Sequence, residues 1–200
     1  MHNGVDSSYF HPGLSVPFKR GDPQLLFVGN LYPHKNVSSL ITGMSEICET
    51  YPRAHLQVAG KGEVFSELQK QIQESGLQKQ VELVGQPAPD ELRLRYSSCD
   101  IYVSASRWEM FDLPALEAMS CGKPVLLSDI PAHTELITGS NAGLTFSLNS
   151  STKAIVQKIV AIYENRSTFG EAGRRFGESH DWAIVCEKIA KVYEQTISAI

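Results

Sequence analysis

Short apolar, β-branched runs alternate with longer stretches of helical period along most of this 200-residue chain, and that alternation constrains the fold more than any other feature. Leu25 to Val28 reads as a strand, Val37 to Cys48 as a helix with Leu40, Ile41, Met44 and Ile47 on one face, and Leu56 to Ala59 as the next strand. The pattern continues with a helix over Phe65 to Ile72, a strand over Val81 to Val84, a helix over Glu91 to Tyr96, a strand over Ile101 to Val103, a helix over Ala115 to Met119 and a strand over Val125 to Leu127. Gly143 to Phe146 is a sixth strand, and Ala154 to Tyr163 and Trp182 to Ile197 read as amphipathic helices after it. Strand and helix alternating at this spacing predict an α/β, Rossmann-like, doubly wound parallel sheet of about six strands flanked by helices. Residues 1–23, rich in Gly and Pro without a sustained period, read as an extended lead-in, and residues 24–200 as a single domain.

Composition excludes several function classes. Eighteen Lys+Arg against 22 Asp+Glu give a formal charge of -4, and the cations are scattered singly, so nucleic acid is excluded as a partner. The apolar runs are far shorter than the roughly 20 residues that cross a bilayer, so no transmembrane segment is expected. Cys48, Cys99, Cys121 and Cys186 lack metal-site spacing, which predicts buried thiols in a reducing cytoplasm and no metal centre.

A doubly wound sheet places ligands beyond the carboxyl ends of its strands, where helices begin and their N–H groups point into a crevice. Gly60-Lys61-Gly62 lies at one such junction, but Phe65 occupies the place of the third glycine of a dinucleotide fingerprint, so NAD is not expected. After the first strand, Gly29 to Asn36 forms a loop in which Lys35 can reach a diphosphate and Asn36 can cap a helix; taken alone, such a lysine is more often a solvated surface charge. The segment Glu109 to Glu117 carries two carboxylates around Pro114, a residue suited to the start of a helix. A helix N-terminus between carboxylates suits a phosphate flanked by sugar hydroxyls, although spacing alone also allows Glu109 to be a loop acid and Glu117 a favourable first-turn acid. His34, His133 and His180 are isolated and read as surface or loop histidines. Trp182, Ile189 and Tyr193 read as core or docking residues of the last helix.

These segments together match a family pattern. Asn3-Gly4-Val5-Asp6, the Val28-Gly29-Asn30-Leu31 loop with Lys35, Gly60-Lys61-Gly62-Glu63, Val84-Gly85, and Glu109 to Glu117 running into Ala118-Met119-Ser120-Cys121-Gly122-Lys123-Pro124-Val125 resemble the carboxyl-terminal, donor-binding domain of retaining GT-B glycosyltransferases of family 4, group 1. The resemblance implies that Glu109 faces the transferred sugar and that Glu117 hydrogen-bonds the nucleotide ribose. It implies further that Lys35 neutralises the departing diphosphate, making Glu109 and Lys35 the catalytic pair. Backbone N–H groups from Phe111 to Leu113 would hold the phosphates, and the loop after Gly85 would meet the base. The donor-binding set so implied is Asn30, Lys35, Gly62, Gly85, Glu109, Met110, Phe111, Asp112, Leu113 and Glu117. No metal or cofactor is implied beyond the nucleotide-diphospho-sugar itself, GDP- or UDP-linked, and the Gly-Asn-Leu-Tyr-Pro-His-Lys-Asn stretch is similar to mannosyltransferase members.

Two residues depart from the family pattern. Asn30 stands where an arginine is common and Asp112 where a glycine is common; the Asp112 carboxylate falls beside the implied phosphate position and is expected to cap the following helix with its own side chain. The chain starts where the family's second domain starts, so it is expected to be the half of an enzyme whose acceptor-binding N-terminal domain is missing, with an exposed apolar patch on its last helix and any membrane association left to that missing half. The expected function is donor binding for hexosyl transfer, the isolated half being inactive. The alternative is a non-catalytic nucleotide-binding or regulatory module with the same fold.

Overall fold

The computed structural model describes residues 3–198. Met1 and His2 of the expected lead-in, and Ala199 and Ile200 at the end of the expected domain, lie outside the described residues. Strands β1 (Gln24–Val28), β2 (His55–Ala59), β3 (Val81–Gly85), β4 (Ile101–Ser104), β5 (Val125–Ser128) and β6 (Gly143–Phe146) form one six-stranded sheet in the order β3-β2-β1-β4-β5-β6. Every neighbouring pair is parallel, with Leu25 opposite Leu56 on one side and Ile101 on the other. This is the doubly wound order, and chain direction across the sheet reverses between β1 and β4, which opens a crevice above their carboxyl ends.

The alternation of side chains along each strand sorts the core into two layers. Leu25, Phe27, Ile101, Val103 and Leu126 pack with α1 (Val37–Thr50), α2 (Phe65–Glu74) and α6 (Thr152–Glu164) on one face. Leu26, Tyr102, Val125 and Leu127 pack with α3 (Pro89–Ser98), α4 (Leu113–Ser120), α5 (Pro131–Ser140) and α7 (Arg166–Ser179) on the other. The last helix, α8 (Trp182–Ser198), buries Val185 and leaves Trp182, Val192, Tyr193 and Ile197 exposed, so the expected apolar patch is present.

Two helices have no counterpart in the sequence reading, and each has a physical reason. The buried side of α5 carries His133, Leu136 and Ser140 rather than an apolar stripe, so a hydrophobic period does not reveal it. The helix α7 buries Gly170, Gly173 and Gly177. A Cβ at Gly177 would lie 2.8 Å from the Ser120 Cα, so α7 approaches α4 backbone to backbone and the buried positions read as helix breakers. The lead-in also differs from a purely extended segment. Val5 is buried, its N–H donates to the His180 carbonyl at 2.9 Å and its carbonyl accepts from the Trp182 N–H at 3.1 Å. The Arg174 guanidinium then donates to the carbonyls of Ser7, Phe10 and Ser120, fastening residues 5–10 against α4 and α7.

Candidate functional site

The loops at the carboxyl ends of the strands are stitched together by their backbones. The Arg107 N–H donates to the His34 carbonyl at 2.7 Å, joining the loop after β4 to the 3-10 turn Pro33–Lys35 after β1. The Leu31 N–H donates to the Lys61 carbonyl and the Gly60 N–H to the Gly85 carbonyl, joining the loops after β1, β2 and β3. Gly62 has a steric role in this seam, since a Cβ there would lie 2.3 Å from the Leu31 carbonyl oxygen. Gly85, at φ +75°, supplies a left-handed backbone at the exit from β3. Above the seam lies a crevice of about 830 Å³, within the range of small-molecule sites.

Of the expected site residues, Asn30, Lys35, Glu109, Met110, Phe111 and Glu117 line this crevice. Gly62, Gly85, Asp112 and Leu113 do not, although Lys61, Gln86 and Pro114 beside three of them do. Lys35 Nζ lies 2.5 Å from Glu109 Oε1, and the Ser106 hydroxyl donates to the same oxygen at 2.7 Å. Both side chains are largely shielded, at 19% and 8% exposed, so the lysine is not the solvated surface charge that its sequence context allows. The Glu109 carboxylate is likewise packed, with Oε1 held by two donors, and is not a loop acid in water.

Glu117 occupies the second turn of α4, where the Tyr96 hydroxyl donates to Oε2 at 2.7 Å. Burial pushes its pKa up to about 7, against the lowering effect of the Tyr96 hydrogen bond, and the neighbouring Asp112 charge pushes the same way as burial. Tyr96 is itself fully buried and titrates well above a free tyrosine for the same desolvation reason. Its position at the end of a largely charged and polar helix, α3, conceals this role in the sequence.

Asp112 is turned away from the crevice. Only 3% exposed, it caps α4 by accepting the Ala115 N–H at 3.1 Å, as its position before the helix predicts. It also accepts the Tyr102 hydroxyl at 3.2 Å, and its Oδ2 lies 3.0 Å from His133 Nε2. The reading of His133 as a surface or loop histidine is therefore corrected: it is wholly buried on α5 beneath the Glu109 to Asp112 loop. His34 is half-buried and stacked on Tyr32, and His180 is stacked on Phe176 with centroids 4.0 Å apart. Asn36 sits at the start of α1 as expected, but in the left-handed region at φ 52°, and makes no side-chain cap to the backbone; its Oδ1 accepts the Ser39 hydroxyl instead. Within the expected phosphate-binding run, the Leu113 N–H donates to the Phe111 carbonyl at 3.2 Å.

Glu109, Asp112 and His133 bring ligand-type atoms within 4.8 Å of one another, the one such group of three among the described residues. Donors already serve these atoms: an ammonium and a hydroxyl on Glu109, and a backbone N–H, a phenol and an imidazole on Asp112. The cluster is thus organised as a hydrogen-bonded unit. Its remaining members, Ser104, Ser106 and Ser128, sit in or beside buried strands where the sequence shows only isolated small polar residues.

Residues 15–179 match the family described as glycosyl transferases, group 1. An uncharacterized glycosyltransferase of Methanocaldococcus jannaschii is 27% identical over 98% of this chain and 53% of its own length. The GDP-mannose:cellobiosyl-diphosphopolyprenol alpha-mannosyltransferase of Xanthomonas oryzae is 27% identical over 98% of this chain and 52% of its own. The chain thus spans about half the length of the curated relatives it matches. Among solved structures, the C-terminal domain of a group 1 family glycosyl transferase from Francisella tularensis superposes with a TM-score of 0.74 at 25% identity, covering 86% of this chain and 95% of that one. With the sheet order, the crevice and this match over most of its length, the chain belongs to the group 1 glycosyltransferases and forms the Rossmann-like, C-terminal half of their GT-B fold.

Proposed function

We propose that the crevice binds a GDP- or UDP-linked nucleotide-diphospho-sugar and that this chain, with an acceptor-binding half, transfers a hexose to an acceptor hydroxyl with retention. The observation that carries this reading is the convergence of Lys35, Glu109 and Glu117 on one crevice at the switch point of the sheet. Lys35 meets the diphosphate as it departs, Glu109 faces the transferred sugar, Glu117 accepts hydrogen bonds from the ribose, and the segment after Gly85 meets the base. Charge develops on the leaving diphosphate and on an oxocarbenium-like sugar, so preorganised donors and carboxylates supply the stabilisation. Lys35 and the N-terminus of α4 provide the positive potential, and no divalent metal is needed; binding unchanged by EDTA is the check.

Mannose is the first sugar to test. The Xanthomonas oryzae relative and the lipopolysaccharide core mannosyltransferase of Rhizobium meliloti, 30% identical over 96% of this chain, both carry that name. No helix among the described residues is long and apolar enough to cross a membrane, and we place the reaction in the cytoplasm, with any membrane attachment made through the acceptor-binding half. The deciding experiment is a calorimetric titration of the 200-residue chain with GDP, UDP, ADP and their hexose conjugates. Saturable binding to one base is the expected result. Failure of all of them to bind at millimolar concentration overturns donor binding by this chain and favours a non-catalytic module that keeps the fold.

A further inference from the structure

The buried contacts of Asp112 and His133 fix where one proton must be. His133 Nδ1 lies 3.0 Å from the Ser128 carbonyl oxygen, which can only accept, and 3.0 Å from the Ser128 hydroxyl, whose proton is given to the Ser106 carbonyl at 2.5 Å. Nδ1 is therefore a donor. On the other side, Asp112 Oδ1 accepts from the Ala115 N–H and the Tyr102 hydroxyl, while Oδ2 faces His133 Nε2 at 3.0 Å. Without a proton on that axis, two lone pairs would face each other in a site with 0% and 3% exposure. Whether the proton rests on Nε2 or on Oδ2, the couple as a whole carries no net charge.

This matters because of what lies above it. The couple sits under the loop that carries Glu109, and the Ser106 backbone and hydroxyl link it onward: the carbonyl accepts from Ser128, and the hydroxyl donates to Glu109, which is paired with Lys35. Glu117, on the crevice wall, belongs to the helix that Asp112 caps. An uncompensated carboxylate at 112 would oppose an anion at the N-terminus of α4, in a setting where water screens little.

We propose that Asp112 and His133 form a proton-sharing positioning couple: the carboxylate caps α4 and shapes the Glu109 loop, and the imidazole supplies the proton that keeps this carboxylate from repelling the donor's diphosphate. The proposal rests on the donor-binding reading above. It makes an asymmetric prediction, because Asn at 112 can donate its amide to a neutral Nε2 and still cap α4 with its oxygen, preserving neutrality, whereas Gln at 133 leaves an ionised Asp112.

The test has two arms. Long-range proton–nitrogen NMR of the imidazoles at pH 7.5, with His133 assigned by its loss in His133→Gln, is expected to show Nδ1 protonated; an unprotonated Nδ1 overturns the couple. Calorimetry with GDP and UDP, and with guanosine and uridine as uncharged controls, is then run on the unsubstituted chain, Asp112→Asn, His133→Gln and the double variant. We expect His133→Gln to weaken the bound diphosphate about tenfold or more, Asp112→Asn to change it less than about threefold, and adding Asp112→Asn to His133→Gln to recover most of the loss, with nucleoside binding unmoved. Equal losses from both single changes, no recovery in the double variant, or nucleosides weakened as much as diphosphates would mean a merely structural role. If His133→Gln does not fold, Asp112→Asn still decides, since a tenfold loss on Asp112→Asn alone contradicts the couple. Absence of GDP and UDP binding to the unsubstituted chain sinks the donor reading and the phosphate role together, while binding with the wrong variant pattern sinks the couple alone.

Discussion

At the scale of single residues, the two crevice glutamates are held in different states by different neighbours. Glu109 is engaged by an ammonium and a hydroxyl, whereas Glu117 is partly desolvated with one phenolic donor and titrates at about 7. Substitution should separate their roles. Glu117→Ala is expected to weaken the free nucleoside diphosphate by on the order of 1–3 kcal/mol through lost ribose hydrogen bonds. Glu109→Ala should spare the free nucleotide and weaken only the sugar-bearing donor, and equal effects in calorimetry would overturn this division. The raised Glu117 pKa also has a sign for stability. The folded state holds this proton more tightly than the unfolded chain, where a glutamate titrates near 4.3, so the contribution is full below that pH and is lost as pH rises through about 7. Because Asp6, Asp22 and Asp181 are shifted the opposite way, the clean measurement is a difference. Urea unfolding of Glu117→Gln relative to the unsubstituted chain should shift in favour of Gln by on the order of 1–3 kcal/mol between pH 5 and pH 8, and a flat difference would remove the shift.

At the scale of elements, what could be read in the sequence depended on how each element is buried. The strands and α1 announce themselves because Leu25, Phe27, Ile41 and Met44 fill a core by area, and apolar area is what periodicity detects. The helix α7 buries itself by the absence of side chains, so Gly170, Gly173 and Gly177 weigh against a helix in any propensity reckoning while being the condition for its contact with α4. The candidate site divides in the same way. Glu109, Glu117 and Lys35 stand out as charges at strand ends, but Tyr96, Ser106 and His133, which hold them or the loop beneath them, are scattered over separate segments and meet only through the topology. The glycine contact is testable. Gly177→Val places atoms where the Ser120 backbone already stands at 2.8 Å from a Cβ, and overpacking of this kind costs about 1–3 kcal/mol, read as a lower urea midpoint. Since α4 carries Glu117, the same substitution should also weaken nucleotide binding, whereas an unchanged midpoint would show that the two helices separate freely.

At the scale of the whole molecule, the described residues form a closed two-layer core on the sheet but leave α8 with one apolar side in water. Tyr193 is 67% exposed and Ile197 72% exposed, while Trp182, at the other end of the helix, is pinned where the Gly4 backbone passes. Scattered exposed apolar residues are ordinary, but a run of them along one helix marks a face suited to burial against another surface. Side chains this exposed should contribute little to the stability of the chain. The double substitution Tyr193→Lys and Ile197→Lys is therefore expected to move the unfolding free energy of the 200-residue chain by no more than about 0.5 kcal/mol, while Trp182→Ala, which removes packing against the strand-like segment around Val5, should cost more than about 1 kcal/mol. Both values come from the same urea titrations. A large loss from the lysine pair would mean that α8 is already covered within this chain, by itself or by a second copy, and the dependence of the midpoint on protein concentration would tell which.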